Sequence, residues 1–239
     1  MSKLLVADIG GTGSRLAVMQ EGRQISEPVT YLNSEHDSFE AILDDFIGRT
    51  GCESTQAAFA VAGPVRDNSV RMTNLGWELS GAGLAARFGL QRVELLNDFA
   101  ALAWATLALK ATDVQQVGGG AAVPKANRGI LGPGTGLGVS GLICHAGAWA
   151  VVAGEGGHVT LPACSNDEAR LIEQVTQEFG HCSAERLVSG PGLVRIYAYL
   201  GGGDAAPETV TRRALAGDEM ARRAVELFSL MLASVASNL

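Results

Sequence analysis

Two glycine-rich turns, each entered from a short apolar run, are the parts of this chain best suited to chemistry. Leu4-Leu5-Val6-Ala7-Asp8-Ile9 leads into Gly10-Gly11-Thr12-Gly13, and Gly129-Ile130-Leu131 leads into Gly132-Pro133-Gly134-Thr135-Gly136-Leu137-Gly138. Glycine lets backbone N–H groups come close to a polyanion. Thr12 and Thr135 add hydroxyls, and Asp8 offers a carboxylate to a divalent cation. Two such turns can grip one phosphate chain from both sides. Between them, Leu95-Leu96-Asn97-Asp98-Phe99 ends an apolar run in a carboxylate, and beyond them lies Gly154-Glu155-Gly156-Gly157-His158. That order suits a phosphotransferase acting on a small molecule.

The commoner phosphate templates do not apply. A Walker A loop requires a Gly-Lys pair, and none of the three lysines, Lys3, Lys110 and Lys125, follows a glycine. The dinucleotide fingerprint requires G-x-G-x-x-G, whereas Gly134, Gly136 and Gly138 are spaced G-x-G-x-G. Without a loop lysine, phosphate charge falls to backbone N–H groups, the two threonine hydroxyls and a cation. Either turn alone is also an ordinary tight connection between strands; it is the pair that points to phosphate.

Asp98 carries two readings. Asn97 or Asp98 can cap the helix that starts at Phe99. A carboxylate at the C-terminal end of a strand in an α/β sheet also stands where ligands bind, and it can take a proton from an alcohol attacking phosphorus. Glu155 and His158, an acceptor and a donor-acceptor three residues apart on a glycine backbone, suit the hydroxyls of a polyol or are simply solvated. Glu185, in the first turn after Ser183, is placed well for the helix dipole alone.

The elements that must position these residues alternate in α/β fashion. Leu4 to Ile9, Arg15 to Met19 and Ile25 to Leu32 read as three strands of an antiparallel meander. A helix follows, with Asp37 and Glu40 in capping-box positions and Phe39, Ile42, Leu43, Phe46 and Ile47 on one face. Ala57 to Val61 and Val93 to Leu96 read as buried strands, and Phe99 to Leu109 as an apolar helix. Gly118-Gly119-Gly120 and Pro124 interrupt the pattern between Lys110 and Lys125, which places a domain boundary there and divides the chain into 1–109 and 110–239. The cycle then restarts with a short strand, a glycine turn, and strands at Val139 to Cys144 and Trp149 to Val152. Later residues are mainly helical. The clearest helix runs from Ser165, with Glu168 completing its capping box, to a stop at Gly180. The last carries Met220, Ala224, Leu227, Phe228, Met231 and Val235 on one face.

Composition narrows the function classes. The chain has 239 residues, 47% of them hydrophobic, which is enough for real cores. A net charge of -7 and the scarcity of lysine leave no basic footprint for nucleic acid or an anionic membrane. The 31 glycines, about twice the usual share, cluster in loops. Cys52, Cys144, Cys164 and Cys182 show no C-x-x-C spacing, no secretory leader is expected because the apolar run after Lys3 meets Asp8 early, and reduced thiols in the cytoplasm are the expectation. No segment offers about 18 consecutive apolar residues, and the four histidines lack the spacing of a zinc site.

Taken together, the motifs resemble those of bacterial ATP-dependent glucokinases, in the hexokinase and actin-like ATPase superfamily and outside its zinc-bearing branch. Asp8-Ile9-Gly10-Gly11-Thr12 matches the first phosphate motif, Asn97-Asp98-Phe99 the catalytic segment, Gly134-Thr135-Gly136-Leu137-Gly138 the second phosphate motif, and Gly154 to His158 the sugar-binding loop. Met72-Thr73-Asn74 through Trp77, Ser183 to Arg186 and Ser189-Gly190-Pro191-Gly192 match further segments. The resemblance implies an α/β fold of two actin-like (RNase H-like) domains flanking a cleft that closes when sugar binds. It implies Asp98 as the base for the glucose 6-hydroxyl, and Thr73, Asn74, Asn97, Glu155, His158 and Glu185 as sugar-binding groups. Gly10, Gly11, Thr12, Gly134, Thr135 and Gly136 would surround the phosphates of ATP, Asp8 would hold Mg²⁺ through water, and a homodimer would match the family's habit.

Two departures accompany it. Gly13 stands where the family commonly has Asn, and the family continues for several dozen residues past the position of Leu239, including a Gly-Gly adenosine motif. The expectation is therefore a second domain that is incomplete. A sugar- or phosphate-binding fragment without turnover, and an actin-like kinase for another acceptor such as a carboxylate, are the alternatives.

Overall fold

Alternating apolar residues in the first segment, with Leu5, Ala7 and Ile9 buried, make a strand that hides one face. This strand, β1 (Lys3–Ile9), pairs antiparallel with β2 (Gly13–Gln20), setting Asp8 opposite Arg15. The computed structural model describes residues 3–20 and 24–239, and the chain divides into two compact units, Met1–Val114 and Gln115–Leu239.

In the first unit, the strand expected over Ile25 to Leu32 is split into β3 (Gln24–Ile25) and β4 (Val29–Leu32), both pairing with β2. The break falls at Ser26-Glu27-Pro28, where proline has no N–H for a ladder. There the Ser26 hydroxyl accepts the Val18 N–H at 3.0 Å in place of a backbone carbonyl. Helix α1 (Phe39–Thr50) buries Phe39, Ile42, Leu43 and Phe46 as the spacing predicts, but its cap is Ser38, whose hydroxyl accepts the Ala41 N–H, and not Asp37. Next come β5 (Gln56–Val61), the hairpin of β6 (Ser69–Met72) and β7 (Trp77–Ser80), α2 (Gly81–Phe88), β8 (Arg92–Asn97) and α3 (Asp98–Ala105). Helix α3 ends before the expected Leu109; the Thr106 hydroxyl bonds back to the Ala103 carbonyl at 2.7 Å, which competes with continuation of the helix.

The sheet order is β3-β2-β1-β5-β8, with β4 also on β2. Strands β1, β5 and β8 run parallel, and Ile9, Val61 and Asn97 end in one row. Leu5, Ile9, Phe39, Phe46 and Phe59 lie in the core against one face, with the Phe39 and Phe59 rings edge to face at 5.2 Å. The open edge of β8 is blunted by a side chain. Asn68 donates to the Val93 carbonyl and accepts the Leu95 N–H, both at 2.8 Å, so its amide pairs with the edge as a peptide would. Asn68 sits at a φ of 54° and Asp67 before it at 48°, a left-handed region that Asn and Asp tolerate better than most residues. Asn68→Ala is expected to cost about 1–3 kcal/mol, because two part-buried backbone groups lose their partner. A lower urea midpoint at unchanged slope checks this.

The second unit opens with another antiparallel meander, β9 (Arg128–Pro133), β10 (Leu137–His145) and β11 (Ala148–Ala153), in the order β11-β10-β9. Helix α4 (Asn166–Phe179) is capped by Ser165 and stops at Gly180, whose φ of 77° suits a residue without a β-carbon. The capping box is displaced by one residue: Glu168 accepts the N–H of Cys164, not of Ser165, at 2.6 Å. The remaining helices are α5 (Ala184–Leu187), α6 (Gly190–Tyr199), α7 (Pro207–Leu215) and α8 (Glu219–Ala236). On α8 the buried stripe is Ala221, Ala224, Leu227, Met231 and Val235, whereas Met220 is 40% exposed. Among the described residues, no helix is long and apolar enough to cross a membrane.

Candidate active site

In the first unit the expected residues gather at the C-terminal ends of the parallel strands, the end of an α/β sheet at which ligands bind. Asp8 precedes the terminal row of β1, and the turn Gly10 to Gly13 follows it. The Gly10 N–H donates to the Gly13 carbonyl at 2.9 Å, which closes the turn. The Asp8 carboxylate is 61% exposed and 3.9 Å from Arg15, a solvated pair worth little to the fold. Thr73 and Asn74 occupy the exposed turn between β6 and β7. Asn74 reaches the first glycine turn: its amide nitrogen lies 3.8 Å from where a β-carbon on Gly11 would stand.

Two strands from Asp8, β8 ends in Asn97 and α3 begins with Asp98. The two capping candidates divide the work. Asn97 is the cap, its Oδ1 accepting the N–H groups of Phe99 and Ala100 at 3.0 and 3.2 Å. Its amide nitrogen donates to the Gly63 carbonyl at 3.2 Å and to Asp98 Oδ1 at 2.9 Å. Oδ1 of Asp98 also accepts the Phe99 N–H at 2.9 Å. Burial pushes the Asp98 carboxyl above the ordinary carboxylate range, and the nearby Asp8 charge adds to this against the hydrogen bonds from Phe99 and Asn97. A half-buried carboxylate with a raised proton affinity, held in one orientation, has the properties of a general base.

In the second unit, Gly134, Thr135 and Gly136 form the turn between β9 and β10, closed by a 2.8 Å bond from the Gly134 N–H to the Gly136 carbonyl. The Gly134 carbonyl accepts the Gly190 N–H at 2.8 Å, tying the turn to the start of α6. Glu185 is drawn to the same place: its Oε2 accepts the Leu137 N–H at 2.9 Å, and a β-carbon on Gly136 would overlap that carboxylate. Glu155 and His158 follow β11, 3.8 Å apart and 60% exposed. Their loop is pressed onto β10, because a β-carbon on Gly157 would overlap the Leu137 carbonyl oxygen and one on Gly156 would overlap Val139. The Ala184 N–H donates to the Val159 carbonyl at 2.8 Å, which ties this loop to α5 and so to Glu185. A pocket of about 400 Å³ adjoins the turn, lined in part by Gly134, Thr135, Ser189, Gly190 and Phe228.

Asn33 and Gly63 join the site without having been anticipated, each through a contact that depends on the fold. Gly157 and Ser189 lie in segments already matched, and Ser189 caps the Gly192 N–H at 3.1 Å. For a cation the fit is a restricted one. Among the described residues no three His, Cys, Asp or Glu side chains cluster, so a cation beside the exposed carboxylate of Asp8, with Asp98 its nearby acidic neighbour, would take most of its oxygens from elsewhere. That suits Mg²⁺, which keeps most of its water and takes further oxygens from substrate phosphates.

Comparison with known proteins shows the family. The glucokinase family model matches residues 5–239. The glucokinase of Saccharophagus degradans is 40% identical over the whole chain, which spans 78% of that protein. The glucokinase of Paramagnetospirillum magneticum is 41% identical over 99% of the chain and 77% of its own length. A crystal structure of glucokinase from an Antarctic psychrotroph superposes over 100% of this chain and 78% of its own with a TM-score of 0.86, at 29% identity, and shares its actin-like α/β architecture. The chain belongs to the glucokinase family, hexose kinases that phosphorylate glucose from ATP.

Proposed function

We propose that this chain transfers the γ-phosphoryl group of MgATP to the 6-hydroxyl of glucose, with Asp98 as general base. The observation that carries the reading is the Asp98 carboxyl: half-buried, oriented by Asn97, and raised in proton affinity at the end of a parallel strand. The glucose O6 proton passes to Asp98 as O6 bonds to the γ-phosphorus. The bond from that phosphorus to the β,γ-bridging oxygen breaks, and ADP leaves.

The other roles follow from chemistry and placement. Backbone N–H groups of Gly11 and Gly136, with the Thr12 and Thr135 hydroxyls, hold phosphate oxygens, while Gly10 and Gly134 flank them and spend their own N–H groups on closing the two turns. Asp8 would hold Mg²⁺ through water, and the cation supplies charge neutralisation on the phosphates. Thr73, Asn74, Asn97, Glu155, His158 and Glu185 take the remaining sugar hydroxyls, a set of donors and acceptors that discriminates by leaving partners unpaired when a hydroxyl is absent. The pocket beside Gly134 and Thr135 has room for the nucleoside end of ATP. A kinase that draws on ATP fits the cytoplasm, and that is the location inferred here.

Coupled ADP release tests the reading. Glucose-dependent ADP production is expected from the unmodified chain and not from Asp98→Ala; equal rates from the two contradict it. The pH profile gives a second check. The base must be ionised, so kcat/KM for glucose is expected to fall on the acid side through a pKa above that of ordinary aspartate. Asp8→Asn removes one cause of the raised pKa and is expected to move that limb to lower pH, whatever it does to the plateau. A limb that stays in place or moves up contradicts the assignment.

A further inference from the structure

Asn33 is 1% exposed, in the short 3-10 turn Asn33–Glu35 that follows β4. A buried amide is costly unless its hydrogen bonds are made; the Asn33 backbone carbonyl accepts the His36 N–H, and its side chain and backbone N–H all turn to one place. Its Nδ2 donates to the Gly10 carbonyl at 2.8 Å, its backbone N–H donates to the Thr12 carbonyl at 2.9 Å, and its Oδ1 accepts the Ser14 hydroxyl at 2.7 Å. Both ends and the middle of the first glycine turn are thus held by one residue about twenty positions away.

The peptide plane turns this into a statement about ligand. In a trans peptide the carbonyl of one residue and the N–H of the next point in opposite directions. Holding the Gly10 carbonyl on the Asn33 side chain therefore directs the Gly11 N–H away from Asn33, and the Asn33 backbone N–H, by holding the Thr12 carbonyl, does the same for the Gly13 N–H. A glycine turn without such a tether samples many conformations, and ordering it on binding costs affinity.

We infer that Asn33 is a positioning residue for nucleotide: it sets the peptide planes of Gly10 to Ser14 before phosphate arrives, so that the turn's N–H groups are already aimed. The inference rests on the kinase reading above. Asn33 touches no substrate and acts only through the turn. Loss of the tether raises the dissociation constant for MgATP and leaves that for glucose alone, because the turn serves the phosphates.

Calorimetric binding of a magnesium complex of a non-hydrolysable ATP analogue, and separately of glucose, tests it, with thermal unfolding recorded for each variant. Asn33→Ala is expected to weaken nucleotide binding about tenfold and glucose binding less than twofold. Asn33→Asp keeps the acceptor for Ser14 but sets a carboxylate oxygen against the Gly10 carbonyl, and the same selective loss is expected. Ser14→Ala removes one bond of the three and is expected to weaken nucleotide binding about twofold to threefold. Unchanged affinities, or affinities for both ligands that fall together as Tm falls, overturn the inference, since a merely structural asparagine behaves that way. Should Asn33→Ala not fold, the same criterion applied to Asn33→Asp and Ser14→Ala decides. If the unmodified chain binds neither ligand, the kinase reading fails and the inference with it; if it binds both and the variants are unselective, the inference alone fails.

Discussion

Asp98→Asn is expected to lower kcat between about 10² and 10⁴-fold, the range a positioned general base contributes, with the KM for glucose changed only a few fold. The substitution is close to isosteric. Its side-chain oxygen can still accept the Phe99 N–H and the Asn97 amide, and α3 keeps its cap because Asn97 supplies it. What is lost is the ability to take a proton. Stability should move the other way or not at all. Burial raises the Asp98 pKa, so its ionised form is disfavoured in the folded protein, and removing the charge relieves that cost at pH values above the carboxyl's unfolded pKa. Steady-state rates beside thermal unfolding check both halves. A variant that loses activity only in proportion to a lowered Tm would show Asp98 to be structural.

Gly157→Ala is expected to weaken glucose binding and to lower kcat/KM for glucose about a hundredfold, the scale of a displacement of order 1 Å in a positioned group. The added β-carbon overlaps the carbonyl oxygen of Leu137, and that oxygen is poorly placed to yield. Leu137 is 4% exposed, is paired with Pro133 across the sheet, and has its N–H held by Glu185. The loop must give instead, and it carries Glu155 on one side and His158 on the other. Gly154→Ala is the informative comparison. A β-carbon there meets nothing within 4 Å, so glucose binding should stay near that of the unmodified chain. Glucose titrations of the two variants, compared directly, separate a steric cause from a general intolerance of the loop to substitution.

Much of the first unit is legible in the sequence because its signals are local. The alternation of Leu5, Ala7 and Ile9, the stripe of Phe39, Ile42, Leu43 and Phe46, and the glycine turn after Asp8 each declare themselves within a few residues. The errors have local causes too. Asp37 and Ser38 are both good caps by residue type, and it is the Ser38 hydroxyl that accepts the Ala41 N–H. The third strand reads as continuous until Pro28 is weighed as a residue without an N–H. On the last helix, Met220 looks more like core than Ala221, yet it is the small alanine that packs at 0% exposure.

Other features could not be read along the chain at all. The amide of Asn68 pairs with an edge strand 25 to 27 residues on, Asn33 holds a turn some twenty residues before it, and Glu185 reaches the Leu137 N–H across 48 residues. These bonds exist only once the sheet registers are set. The choice of Asn97 over Asp98 as cap has a nearer cause: the two are adjacent and of equal capping strength, and only their bonds in three dimensions tell them apart.

The most direct test of the central claim is the identity of the product. Incubated with glucose and MgATP, the unmodified chain should accumulate glucose 6-phosphate in step with ADP, seen by phosphorus NMR as a new phosphomonoester coupled to the C6 protons, and Asp98→Asn at the same concentration should give at most about a hundredth of that rate. ADP appearing with free phosphate and no sugar ester, or a phosphoester formed equally fast by the Asp98→Asn variant, would contradict the account.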